Sequence, residues 1–146
     1  MRDGRFANQW QCWEAFAAGM TQAVTFVAAD APGAATAVRL DYQRGPRLHV
    51  RQHVAVTANG VYRLSAMATM IAPAYPEVTG LRVAAYMPGS KEVDVAWDYV
   101  RPNEWEVRQV VFTNTVPGAG VVYIELGGHG ARDVLVTDVR LERIVK

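Results

Sequence analysis

Residues 120–144 read GVVYIELGGHGARDVLVTDVRLERI, a short apolar run, a Gly-rich break and a second run that mixes polar and apolar residues. Residues 52–66 read QHVAVTANGVYRLSA, two alternating runs on either side of Asn59-Gly60. Alternation with a period of two is typical of a β-strand that has one buried face. Because Asn and Gly tolerate positive φ, Asn59-Gly60 predicts a tight hairpin turn between its two runs. Together the two stretches predict an antiparallel β fold.

Similar runs recur along the whole chain, separated by turn residues such as Gly, Pro and Asn. They predict strands near residues 22–28, 36–42, 47–57, 61–71, 80–87, 92–100, 105–114, 120–126 and 133–144. Strands at such short intervals favour a sandwich or barrel over alternating strands and helices. We therefore predict an all-β fold, a sandwich or a barrel.

Alternation also assigns faces to several of these strands. Around the central motif, one predicted core face holds Leu48, Val50, Gln52, Val54 and Val56, and the opposite face holds His49, Arg51, His53 and Ala55. The predicted core as a whole contains Val54, Val56, Tyr62, Leu64, Val110, Phe112, Val139 and Leu141. In the last strand, strict alternation puts Leu135, Thr137, Val139 and Leu141 together, but the opposite face also begins with apolar residues, so the pattern does not decide which face is buried.

Composition limits the classes of function. The 146 residues suit one domain, and the 15 basic and 14 acidic residues are interspersed with no basic run, so we expect no nucleic-acid partner. Cys12 is the single cysteine, which excludes an intrachain disulfide. Residues 1–20 carry four charges and no continuous apolar segment, which predicts no signal peptide, no membrane partner and synthesis in the cytoplasm.

Two further motifs carry a resemblance to a known family. Asp3-Gly4-Arg5-Phe6 lies near the start, and Trp105-x-x-x-x-Val110-x-Phe112-Thr113 lies between the two stretches quoted above. With them, nearly the whole chain resembles the β-jelly-roll carbohydrate-binding modules of the galactose-binding-like superfamily. The resemblance implies a single antiparallel β-sandwich, the jelly roll, over residues 21–146, with Trp105 as a core anchor. Residues 1–20 are then an N-terminal aromatic-rich arm or a first strand. The motifs are mostly structural, so they specify the fold better than the ligand.

Many modules of this family hold a structural calcium ion between a carboxylate after the motif Phe and an acidic pair in the last strand. In this chain Ala7 follows Phe6, and Thr137 precedes Asp138 where the acidic pair would lie. Calcium binds six to eight oxygens, usually including several carboxylates. We therefore expect no cofactor and no tight metal site, with a weak calcium site near Asp3 and Asp138 as the remaining alternative.

In the resembled family the ligand cleft lies on the concave sheet and uses aromatic side chains from its strands. Sugar recognition needs flat rings that stack on the C–H face of a pyranose, with polar groups for its hydroxyls. The candidate glycan-binding residues are Trp97, Tyr99, Tyr86 and Tyr75. If Trp97 and Tyr99 are exposed they form a stacking platform with the other two, and if they are buried they belong to the core.

A second set of residues suits contact with other protein subunits. Trp10, Trp13 and Phe16 recur at helical spacing within residues 7–20, which predicts a helical turn or an irregular aromatic arm. Interfaces are enriched in aromatic residues because each ring buries a large area at low entropic cost. The polar row of His49, Arg51 and His53 is a second candidate contact, although a solvated face explains it as well. His49 and His53 are roughly 13 Å apart along a strand, too far to share a metal ion.

No catalytic motif is present, so we predict that the protein is not an enzyme. The predicted function is a binding or structural module on a virion surface, such as a phage capsid decoration or tail accessory protein. Its partners would be other subunits of the particle and copies of itself, with cell-surface polysaccharides as a further partner if the subunit also adheres to host glycans. The alternative is a free-standing carbohydrate-binding module that serves polysaccharide degradation.

Overall fold

A computed structural model describes residues 14–16, 24–41, 48–71, 80–86, 93–97, 103–127 and 134–144. These residues contain ten strands: β1 (Glu14–Phe16), β2 (Val24–Ala31), β3 (Ala34–Leu40), β4 (Leu48–Val56), β5 (Gly60–Met70), β6 (Gly80–Tyr86), β7 (Val93–Trp97), β8 (Glu106–Asn114), β9 (Gly118–Gly127) and β10 (Val134–Ile144). Each of the nine predicted strands overlaps one of them. β1 falls in the segment that the sequence left ambiguous, and of residues 1–20 the structure describes only this strand.

The strands form two five-stranded antiparallel sheets. The first sheet has the order β1-β4-β9-β6-β7, and the second has the order β2-β3-β10-β5-β8. One apolar core lies between them, to which Val50, Val54 and Val122 contribute from the first sheet and Leu40 and Leu64 from the second. The fold is the β-sandwich that the sequence predicts. In the described part of the chain, no helix has the length and apolar character that a membrane span requires.

Strand β4 confirms the predicted alternation. Val50, Gln52, Val54 and Val56 are buried, whereas His53 and Ala55 are exposed. The other predicted core residues also lie inside: Tyr62, Leu64, Phe112 and Val139 are buried, and Val110 and Leu141 are partly buried against the core. The pattern therefore identified the core face wherever a strand alternates without interruption.

The predicted hairpin at Asn59-Gly60 is wrong. Asn59 does have a positive φ of 53°, but β4 and β5 belong to different sheets, so the chain crosses the sandwich here. The buried phenol of Tyr62 secures this corner, because its hydroxyl accepts a hydrogen bond from the Thr57 backbone N–H at 2.9 Å. Gly60 lies under the ring, where a Cβ atom would come within 2.5 Å of Tyr62 Cε2. Both runs place apolar side chains in the core, and each reaches it from a different side.

Polar contacts at the corner continue beyond Tyr62. The Thr57 and Tyr62 hydroxyls share a hydrogen bond of 3.1 Å. The buried Asn114, at the end of β8, donates from Nδ2 to the Thr57 carbonyl at 2.9 Å. Burial raises the pKa of the Tyr62 phenol, but the hydrogen bonds with Thr57 and the Arg143 charge lower that pKa more, so the net shift is downward. Thr57 therefore joins the ends of β4, β5 and β8.

A β-bulge in β10 explains why the sequence pattern did not decide which face of the last strand is buried. Val136 pairs with Ala68 and Leu141 with Leu64, and the register shifts between Thr137 and Arg140. Asp138 has a positive φ of 49° within this shift. The extra residue reverses the parity of the strand. For this reason the core holds Val134 and Val136 before the bulge and the predicted core residue Val139 after it, although strict alternation places Val139 on the opposite face from the other two.

Trp105 does not anchor the core as predicted. It is partly exposed and lies outside the core cluster. Its indole Nε1–H donates to the Asp30 carbonyl at 2.9 Å, which connects the residue before β8 to the end of β2. The indole has a single N–H donor, and its acceptor here lies at the periphery of the sandwich.

Candidate functional site

The outer face of the first sheet carries the side chains that alternate with the buried residues of β4. His53 pairs with Val121 of β9, and Val121 pairs with Tyr86 of β6, so the three residues form one row across the sheet. His53 is exposed, Val121 is partly exposed, and Tyr86 is 43% exposed. Two strand spacings separate the outer members, about 10 Å. The row thus places an aromatic ring and an imidazole at a separation that a short oligosaccharide can span.

Small side chains lie beside this row. Ala55 pairs with Ala119 two residues further along β4, and both are exposed. Side chains of this size leave room above the sheet for a ligand next to the Tyr86 ring. Flat aromatic surface with nearby hydrogen-bonding groups is the combination that pyranose recognition requires.

An ion pair lies on the other side of His53. Strand β1 pairs with β4 and puts Glu14 opposite Arg51. Arg51 Nε donates to Glu14 Oε2 at 2.8 Å, and the side chains are 39% and 56% exposed respectively. Arg51 and His53 are two residues apart on one strand face, roughly 7 Å along β4. The described part of this face therefore combines a ring, an imidazole and a paired guanidinium.

The structure locates only some of the predicted site residues. His49 pairs with Phe16, and Trp97 pairs with Leu81, but the structure describes the backbone alone at these four positions. Through its pairing with Leu81, Trp97 belongs to the row that also contains Leu126 and Leu48. Leu81 and Tyr86 are five residues apart on β6, an odd number, so they occupy alternate positions of the strand. Trp97 and Tyr86 therefore do not share a row. The remaining predicted residues, Trp10, Trp13, Tyr75 and Tyr99, lie outside the described residues. Their glycan-binding and interface roles stay predictions.

The sequence analysis missed Glu14 and Val121 as members of this face. Glu14 was missed because β1 is only three residues long, and the sequence left its segment open between an aromatic-rich arm and a first strand. Val121 lies in an unbroken apolar run, in which no alternation shows which side chains face outward. A Glu-x-Phe alternation at residues 14–16 was the single signal for β1, and it is too short to distinguish a strand from a helical turn.

The weak calcium site left open near Asp3 and Asp138 stays a prediction, because Asp3 lies outside the described residues. Arg140 donates from Nε to Asp138 Oδ1 at 3.0 Å and from Nη2 to Asp138 Oδ2. These hydrogen bonds raise the pKa of the Arg140 guanidinium. The buried Thr137 hydroxyl donates to the Thr36 carbonyl at 2.7 Å. Among the described residues, no three His, Cys, Asp or Glu side chains are grouped to hold a metal ion.

Comparisons with known proteins support the fold. Neither a known family model nor a curated protein matches the chain. TmCBM61, solved in complex with β-1,4-galactotriose, superposes with a TM-score of 0.80 over 99% of this chain and 97% of that one, at 17% sequence identity. A family 16 carbohydrate-binding module gives a TM-score of 0.63 over 89% of both chains, at 19% identity. The chain therefore has the β-jelly-roll fold of carbohydrate-binding modules.

One structural neighbour comes from a virus. Tailspike protein 4 of bacteriophage CBA120 superposes with a TM-score of 0.64 and 14% identity. The match covers 97% of this chain but 20% of the tailspike chain. The jelly roll thus corresponds to one part of a much larger viral protein. At 14% identity, this similarity is evidence of a shared fold alone.

Proposed function

We propose that this protein is a non-catalytic polysaccharide-binding module whose ligand lies on the outer face of the first sheet. The observation that carries the proposal is the row of His53, Val121 and Tyr86, which presents a 43% exposed ring on a jelly roll similar to TmCBM61. The galactotriose bound by that neighbour supports a β-1,4-linked polysaccharide as the class of ligand, with β-1,4-galactan as the first probe.

The ligand crosses the strands from β6 to β4. One pyranose stacks on the Tyr86 ring, and the hydroxyls of sugars further along the chain face His53 and Arg51. An imidazole supplies one donor and one acceptor when neutral, which suits a sugar hydroxyl in either role. The small side chains of Ala55 and Ala119 leave space beside the row. The stacking contact then supplies most of the affinity, and the polar side chains of β4 orient the ligand.

A binding role without catalysis is supported by the structural neighbours and not by the carboxylates of this face. Glycoside hydrolysis needs two carboxyl groups at a set separation, one with a raised pKa. Glu14 is paired with Arg51 at 2.8 Å, and the sheet register also places Asp94 of β7 and Glu125 of β9 at positions of the same parity as Arg51 and His53. The structural neighbours named above that match most of their own length are binding modules as well.

Affinity electrophoresis in β-1,4-galactan and in xylan, followed by calorimetry with β-1,4-galactotriose, tests the proposal. Tyr86→Ala should weaken binding about tenfold, because the lost ring contact is worth roughly 1.5 kcal/mol. Val116→Ala is the matched control, since Val116 is 44% exposed but belongs to the β8–β9 connection. A wild-type protein that no polysaccharide retards, or a Tyr86→Ala variant that binds as tightly as wild type, contradicts the proposal.

The second candidate function is a component of a virion surface, reached after synthesis in the cytoplasm. The likeness of the whole jelly roll to part of a phage tailspike favours it. Under this proposal Trp10 and Trp13 contact neighbouring subunits of a capsid or tail. Sedimentation velocity over a range of concentrations tests it: self-association that is lost in the Trp10→Ala, Trp13→Ala double variant supports the particle role, and a monomer at every concentration opposes it.

A further inference from the structure

We infer that Glu14 makes the proposed site selective for neutral polysaccharides, because it occupies the position at which Arg51 would bind an acidic sugar. The inference rests on the proposed function. Its basis is the hydrogen bond of 2.8 Å from Arg51 Nε to Glu14 Oε2, made across β1 and β4 on the outer face of the first sheet. Both side chains are substantially exposed, at 39% and 56%, so a ligand on this face meets the two charges together.

Arginine is the side chain best suited to recognise a carboxylate. Its planar guanidinium presents N–H donors in a fixed fork that matches the two carboxylate oxygens. A glycan-binding face with an unpaired arginine would therefore attract uronic acids. In this protein a carboxylate of the chain already contacts that fork, and an incoming uronate would have to displace Glu14 and approach its negative charge.

The ion pair also removes the electrostatic attraction at longer range. Opposite charges 2.8 Å apart have no net charge, and their residual dipole field is screened within a Debye length of about 8 Å at physiological salt. A neutral hydroxyl is not repelled by Glu14, and it can accept a hydrogen bond from the guanidinium or donate one to the carboxylate. The pair therefore disfavours anionic glycans and tolerates neutral ones.

A second ion pair provides a control on the other sheet. On β8, Arg108 Nη2 lies 3.1 Å from Glu106 Oε2. Both pairs join a guanidinium to a carboxylate, but only the Glu14 pair lies on the proposed binding face, and the Glu106 side chain is less exposed, at 18% against 56%. Glu14→Gln and Glu106→Gln each remove one negative charge and keep the size of the side chain, with an amide in place of the carboxylate. A difference in polygalacturonate binding between the two variants therefore shows that the position of the removed charge matters.

The experiment is affinity electrophoresis of four proteins, wild type, Glu14→Gln, Glu106→Gln and Arg51→Gln, in gels that contain β-1,4-galactan, unsubstituted xylan or polygalacturonate. We expect the wild type to bind a neutral polymer and to ignore polygalacturonate. Glu14→Gln should keep neutral binding within about threefold and gain polygalacturonate binding by about tenfold, because the variant removes the negative charge that repels a uronate at this position. High salt should abolish this gain. Glu106→Gln and Arg51→Gln should gain nothing.

The outcomes separate the two proposals. If the wild type binds a neutral polymer but Glu14→Gln gains no polygalacturonate binding, the selectivity inference is overturned and the proposed function stands. Equal binding of polygalacturonate and neutral polymer by the wild type also overturns it, as does a gain in the Arg51→Gln variant. If the wild type is retarded by none of the polymers, the proposed function fails and the selectivity inference fails with it. Thermal melts of all four proteins confirm that each is folded.

Discussion

Replacement of Tyr62 by Phe tests the role of the corner between the two sheets. The variant removes one hydroxyl, which accepts the Thr57 backbone N–H at 2.9 Å and shares a hydrogen bond of 3.1 Å with the Thr57 side chain. The ring itself stays. It is 6% exposed, and its centroid lies 6.0 Å from that of Phe112 in a stacked arrangement that Phe can keep. The change in stability therefore reports the hydroxyl contacts alone.

Two hydrogen bonds set the magnitude. Each is worth about 0.5–1.5 kcal/mol net. Thr57 is exposed, so water can replace part of what its N–H loses. We expect the free energy of unfolding to fall by about 1–2 kcal/mol. For a chain of this length that corresponds to a decrease in Tm of roughly 3–6 °C.

Urea denaturation followed by circular dichroism measures the change, with an unchanged m-value as the sign that both states keep their compactness. Thr57→Val and the double variant complete a double-mutant cycle, in which the hydroxyl–hydroxyl coupling should be about 0.5–1 kcal/mol. Tyr86→Phe is the control, because Tyr86 is 43% exposed and should change stability by less than about 0.5 kcal/mol. A Tyr62→Phe variant as stable as the Tyr86→Phe control would refute the assigned role of the corner.

Two other predictions concern the core and calcium. Val110→Asp places a charge against the core and should cost about 3 kcal/mol or prevent folding, whereas its neighbour Val111, 53% exposed on the other face of β8, should tolerate Asp. Equal stability of these two variants, measured by thermal melting, would show that the faces of β8 are wrongly assigned. The Tm of the wild type should be the same in millimolar calcium as in chelator, since Arg140 donates hydrogen bonds to both oxygens of the Asp138 carboxylate. A rise of several degrees in calcium would reveal a tight site.

The sequence alone determined the fold class and most of the strands. Period-two alternation identified the buried face of β4, and turn residues separated nine strands that the structure contains. Such signals are local, because each depends on a residue and its neighbours at positions two apart. The same property explains the predicted core residues Leu64 and Phe112, which occupy regular positions in long strands. The resemblance to carbohydrate-binding modules is likewise confirmed at the level of fold.

Tertiary structure decided the pairing of strands and the composition of the outer face. Asn59 has the backbone conformation that its sequence suggests, yet the strands on either side of it enter different sheets. The bulge at Asp138 changes which residues of β10 face inward, and β1 brings Glu14 to Arg51 from 37 residues away. These outcomes depend on which distant segments share a sheet and in what register. A local pattern holds no information about that choice, because the free energy that decides it comes from contacts made only after the chain has folded.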